Sequence, residues 1–196
     1  LCGIISSQLS TKNDIRHWPI SILTYINYAV LFLCLGFYAN LLTQCVSLFL
    51  AIDGWSSWAK NTENIVRRAG ASELIILFGL GLLGVSILYS FQCLVGVPNL
   101  ADAISAVYLF IGIYALGRRV LQVWVLFFIL DIYFAFLMIQ NGMYFSAVKY
   151  TCYLYFAQIG FRTWSKILEQ QNSNMIKDFG LLTVHVNTIG DQYEYL

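Results

Sequence analysis

Charge is what this sequence has least of. Only 11% of its 196 residues are Asp, Glu, Lys or Arg, the net charge is +1, and there is no Lys/Arg-rich block of the kind that binds nucleic acid. His17 and His185 stand alone, which argues against both a metal centre and triad chemistry. The five cysteines (Cys2, Cys34, Cys45, Cys93, Cys152) are scattered singly with no C-x-x-C pair, so they read as small core hydrophobes rather than disulfides or metal ligands. A phosphate-binding loop and a clear proton relay are also missing. "GLGLLG" at 79–84 imitates a dinucleotide loop only as a string; inside an apolar run it serves close helix packing. No cofactor and no metal are expected.

Apolar surface is what the chain has in excess. With 59% hydrophobic and 16% aromatic residues and a mean hydropathy of +0.71, it carries more than a 22.3 kDa soluble domain could bury. The composition predicts an all-α protein of the lipid bilayer that crosses it several times. A crossing helix needs about 20 apolar residues. Six such runs lie near 18–36, 39–57, 72–91, 102–117, 120–139 and 144–163, and 1–10 is the remnant of another, giving seven transmembrane helices with the first incomplete. Ten of the eleven basic residues fall in 12–16, 60–68, 118–119 and 162–177, whereas 37–40, 92–101 and 140–143 contain none. By the positive-inside rule the N-terminus lies outside and the C-terminus in the cytoplasm.

Shifting the sequence by 106 exposes a gapless repeat. Trp18 meets Trp124, Gly36 meets Gly142, Tyr38 meets Tyr144, Gly54 meets Gly160, Trp58 meets Trp164 and Lys60 meets Lys166; in all, 11 of 43 aligned positions are identical, where about three would coincide by chance. Each copy is three helices, and the helix at 72–91 separates them, so both copies run in the same direction. Such 3+1+3 parallel repeats resemble the architecture of SWEET-type transporters and predict a substrate site between the halves near the midplane. The expected organisation is a first repeat at 1–60, a connecting helix with its loops at 61–101, a second repeat at 102–166 and a cytoplasmic tail at 167–196, read as a short helix with a loose end.

Several residues could carry chemistry. Gln44, Ser47, Ala51, Trp55 and Trp58 share one helix face, and the repeat turns them into Tyr150, Tyr153, Ala157, Phe161 and Trp164. Aromatic rings suit a planar substrate ring, with a further cation–π gain of about 0.5–2 kcal/mol if the ring is cationic. The alternative for Trp55, Trp58 and Trp164 is an interfacial belt. Asp131 lies mid-helix, where an ionisable residue is a functional candidate; its alternative is a pair with Lys149. Gln44, Ser47, Trp55, Trp58, Asp131, Tyr150, Tyr153, Gln158 and Trp164 form the candidate substrate-binding set. Tyr25, Asn27 and Tyr114 are further path-lining candidates. Asp53 reads as a hydrated structural carboxylate, and Glu73 and Asp102 as partners of helix N-terminal dipoles. Two other function classes compete with a carrier: an intramembrane hydrolase using Asp53 and Asp131, and a purely structural membrane protein.

The stretch from "NLADAISAVYLF" to "QIGFRTW", together with "LLTQCVSLFLAIDGWSSW", resembles the PnuC family of bacterial vitamin transporters. The likeness rests on Trp55-x-x-Trp58, Gln44, Asp102, Arg118-Arg119, Trp124 and Gly142-x-Tyr144 and reaches Lys166. It implies a 3+1+3 fold in the bacterial inner membrane, no enzymatic activity, and facilitated diffusion of a vitamin without ATP. It further implies trapping of the vitamin by a cytosolic kinase, and it allows a homotrimer. Where carriers of nicotinamide riboside in this family have amides, this chain has Ala51, Ile159 and Asp131, so the expected substrate is thiamine, with nicotinamide riboside the alternative.

Overall fold

A computed structural model describes residues 2–36, 38–60 and 65–193, and the side chains of these as far as residue 177 apart from 38 and 39. The start of the 37–40 loop, the 61–64 stretch and the last three residues of the tail lie outside it. Seven helices follow in order: α1 (Cys2–Thr11), α2 (His17–Cys34), α3 (Tyr38–Lys60), α4 (Ala71–Leu94), α5 (Leu100–Gly117), α6 (Val123–Gln140) and α7 (Tyr144–Tyr193). Apart from the far end of α7, their bounds match the apolar runs to within a few residues, because those runs are bounded by turn residues. Gly36 and Gly142, 106 residues apart, both adopt the left-handed conformation (φ +73° and +71°) just past the ends of α2 and α6, where a side chain would be strained. Among the described residues α2, α4, α5 and α6 are helices long and apolar enough to cross a membrane.

Two expectations change. The tail is no short helix, since α7 runs without a break from Tyr144 to Tyr193; no glycine or proline occurs between Gly160 and Gly180 to stop it. The five cysteines are exposed rather than packed in the core, as an apolar side chain can be when the solvent is lipid. The glycine string does serve packing, because Gly81 admits Tyr108 and Gly84 admits Val107 of α5.

Among the described residues, neighbouring helices close a ring in the order α1, α2, α3, α5, α6, α7 and back to α1, while α4 lies outside and packs on α5 alone. The basic end of this ring is crossed by an extended strap, residues 65–70. Its backbone pairs with the α5–α6 turn: Arg67 N–H donates to the Arg119 carbonyl at 3.0 Å and Leu121 N–H donates to the Arg67 carbonyl at 2.9 Å. Two glutamines then grip it. The Gln122 amide accepts from Ala69 N–H at 3.0 Å and donates to the Ala69 carbonyl at 3.1 Å. Gln171, on the continuation of α7, grips the backbone of buried Val66 in the same two-point way at 3.0 and 3.2 Å. Gln122→Met leaves both Ala69 groups without partners and lowers stability by about 1–3 kcal/mol in thermal unfolding of the purified protein. Arg16→Gln, which removes an exposed pair with Asp14, changes it by less than about 1 kcal/mol.

Candidate functional site

The strap covers a cluster of four tryptophans. Trp18 and Trp58 meet edge to face at 5.6 Å and 89°, and Trp124 and Trp164 repeat the arrangement at 5.3 Å and 88°. Trp58 and Trp164 join the two pairs at 6.2 Å, and His17 lies 4.3 Å from Trp18 and 4.7 Å from Trp58. Gly54 and Gly160 make room for this packing: a Cβ on either would clash with the ring of Trp18 or Trp124. The indole N–H of Trp58 donates to the Leu116 carbonyl at 3.2 Å and that of Trp164 to the Ser10 carbonyl at 3.3 Å; Ser10 and Leu116 are themselves 106 apart. Asn13 and Arg119, another such pair, both have left-handed backbones (φ 55° and 52°) and bond to each other at 3.1 Å. Arg119 also lies 4.3 Å above the Trp58 ring, and its burial pulls its pKa below the usual guanidinium value. Trp58 and Trp164 are 1% and 0% exposed, so they form no interfacial belt. They line the sealed basic end of the bundle.

Three more of the candidates, Asp131, Tyr150 and Tyr153, gather toward the opposite end. In the antiparallel hairpin around Gly142, Phe134 of α6 stacks on Tyr150 of α7 at 4.9 Å and 15°, and Tyr150 meets Tyr153 edge to face at 6.1 Å. Asp131 lies one turn from Phe134, within electrostatic reach of Lys149, Tyr150 and Tyr153. Tyr28 of α2 faces the same two tyrosines, and Tyr25 of α2 faces Tyr153. From α1, Gly3 makes room for the Tyr153 hydroxyl, which would stand 2.6 Å from a Cβ there. The side chains that α1, α2, α6 and α7 bring together here, a candidate cleft, therefore supply aromatic faces, phenol hydroxyls, one carboxylate and one ammonium. The direct pair of Asp131 with Lys149 is not formed. Among the described residues neither takes part in an ion pair, and the Lys149 ammonium lies 4.4 Å over the Tyr150 ring instead.

The remaining candidates are dispersed. Ser47 is buried with its hydroxyl without a hydrogen bond, Gln44 is half-buried near it on α3, and Trp55 (41%) and Gln158 are exposed on outward faces. Asp53 takes the structural role expected of it, accepting from Arg118 at 3.1 Å. It is thereby held at the basic end on α3, while Asp131 belongs to the cleft, so the two do not form a carboxylate dyad. Asp102 accepts from Gln92 at 2.9 Å, and Glu73 from both arms of Arg67, which raises the pKa of that guanidinium. Tyr25, Tyr28, Phe134 and Lys149 complete the cleft. Of these, Tyr28 and Phe134 have no signal in composition or spacing, but the hairpin register supplies one. Residues whose numbers sum to 284 stand level on α6 and α7, which pairs 134 with 150 and 131 with 153.

Comparison with known proteins bears on the whole assembly. Residues 1–166 match the family described as nicotinamide mononucleotide transporter. A riboflavin/roseoflavin transporter, RibM of Streptomyces davaonensis, is 26% identical over 182 residues, covering 84% of this chain and 81% of that protein. The crystal structure of the vitamin B3 transporter PnuC superposes with a TM-score of 0.66 at 15% identity, covering 86% of this chain and 79% of that one, and so shares its fold. These relatives are transporters, which implies that the chain is not an enzyme. With its apolar helices and a family match over most of its length, this chain is a multi-pass membrane protein of the PnuC family of vitamin transporters.

Proposed function

We propose that the chain lets a small vitamin with a flat ring equilibrate across the bilayer, nicotinamide riboside before thiamine. The cleft carries this reading: Phe134 and Tyr150 offer a stacking platform, and Asp131, in no ion pair among the described residues, is placed to face a cationic ring. The family description and the vitamin B3 fold favour nicotinamide riboside. Thiamine is supported by residues, since Ala51, Ile159 and Asp131 stand where amides would serve the riboside. Both are cations, so charge alone does not separate them.

Alternating access between parallel repeats, 1–60 and 102–166, with 61–101 outside them and 167–196 a cytoplasmic extension, is the movement we infer. Support comes from the ring of six helices, from α4 outside it, and from contacts that recur at an offset of 106. In this state the cleft is closed at the basic end by the tryptophan cluster and strap. The basic residues support an N-terminus outside and a C-terminus inside a bacterial inner membrane. A homotrimer and a cytosolic kinase complete the reading, because a downhill carrier retains only what is chemically altered after entry. In proteoliposomes the expected outcome is exchange of labelled nicotinamide riboside down its gradient in either direction, without ATP or an ion gradient. A thermal-shift panel of nicotinamide riboside, thiamine and riboflavin ranks them, since a ligand at 100 times its Kd stabilises by about 2.7 kcal/mol. Accumulation above equilibrium in empty vesicles refutes the mechanism, and stabilisation by thiamine or riboflavin alone refutes the preference.

A further inference from the structure

We propose that the crevice between α3, α4 and α5 holds an acyl chain of an anionic phospholipid whose headgroup sits among the arginines at its mouth. Because α4 packs on α5 alone, a crevice of about 500 Å³ opens where it leans away from α3. Leu50, Ile76, Leu77, Leu80, Phe110 and Ile111 line its apolar part, and Ser72, Glu73 and Tyr114 its basic end. From Ser72 to Leu80 is eight helical rises, so it reaches about 12 Å into the hydrocarbon. Polarity at one end only is the chemistry of an amphiphile.

The mouth supplies the charge. Arg67 forks onto Glu73 at 2.6 and 2.7 Å, and Arg118 lies 5.2 Å over the Tyr114 ring while reaching Asp53. Both side chains remain about two-fifths exposed, at 42% and 37%. Among the described residues at this end, Lys60 and Arg68 are also exposed, so that four cations stand with two carboxylates. Basic residues beside an apolar groove at a membrane surface attract anionic headgroups.

The purified protein, incubated in detergent with phosphatidylglycerol and phosphatidylcholine of identical chains, is examined by native mass spectrometry. Wild-type protein is expected to retain phosphatidylglycerol with at least 10-fold preference. Leu80→Trp, and independently Ile76→Trp, fill the crevice from exposed positions and reduce that retention about 10-fold with vitamin-induced stabilisation unchanged. Arg118→Gln reduces the preference severalfold while phosphatidylcholine retention stays the same. Equal retention of the two lipids overturns the proposal, as does full retention in both tryptophan variants. Loss of an oligomer in those variants, with lipid unaffected, assigns the crevice to a second copy and also overturns it.

Discussion

Gly160→Ala lowers the melting temperature of the purified protein, whereas Gly79→Ala raises it. Both are helical glycines in apolar runs, and helix propensity alone favours alanine by about 0.5–1 kcal/mol at each. Their surroundings differ. Nothing lies within 4 Å of a Cβ on Gly79, while one on Gly160 would stand 2.5 Å from three atoms of the Trp124 ring. That indole cannot retreat, because Trp164 meets it at 5.3 Å and Phe127 at 6.2 Å. Overpacking of this kind costs about 1–3 kcal/mol, so a net loss remains after the propensity gain, and Gly160→Val extends it. Gly54→Ala behaves like Gly160→Ala, since Trp18 occupies the corresponding place, and Gly117 packs so close behind that a Cβ on it would stand 3.0 Å from the Gly54 Cα. Equal melting temperatures for the Gly79 and Gly160 variants would mean that the ring packing carries no energy.

Asp131→Asn weakens binding of the cationic vitamin by about 1–3 kcal/mol, which is about 5- to 150-fold in Kd, and leaves the fold intact. Lys149→Met acts in the opposite direction. Its ammonium lies over the Tyr150 face that a cationic ring would use, so removing it frees that face and relieves repulsion. The two variants therefore move affinity oppositely in isothermal titration. If Asp131 serves only to balance Lys149, Asp131→Asn instead lowers stability, Lys149→Met restores it in the double variant, and affinity stays constant throughout. A stable Asp131→Asn protein with unchanged affinity removes the carboxylate from the site.

How legible these features were in the sequence depends on the range of the forces behind them. The helices were legible because each apolar run ends at turn residues, and the repeat because identities survive at a fixed offset. Trp58 and Trp164 were harder. A tryptophan at the end of an apolar run suits an interfacial belt equally well, and only the facing Trp18 and Trp124, with Gly54 and Gly160 as their seats, make it a packed cluster. The repeat held a signal for this, since all six of those residues are identical between copies. The strap left no pattern, because its pairing with Arg119 and Leu121 joins segments more than 50 residues apart and its clamps are two ordinary glutamines. Lys149 was seen as a partner for Asp131, but its place over Tyr150 follows from side-chain geometry that hydropathy does not encode.

The two crossed indole bonds set an order in time. During synthesis Trp58 emerges 58 residues before its acceptor on Leu116, whereas Ser10 waits 154 residues for Trp164. Until α5 is inserted, the first three helices carry an indole donor whose acceptor has not arrived, and a Gly54 seat with one wall missing where Gly117 will stand. The early helices thus wait in the bilayer as an unfinished surface, and the last to arrive, α7, locks them by bringing Trp164 to Ser10 and Gln171 to the strap.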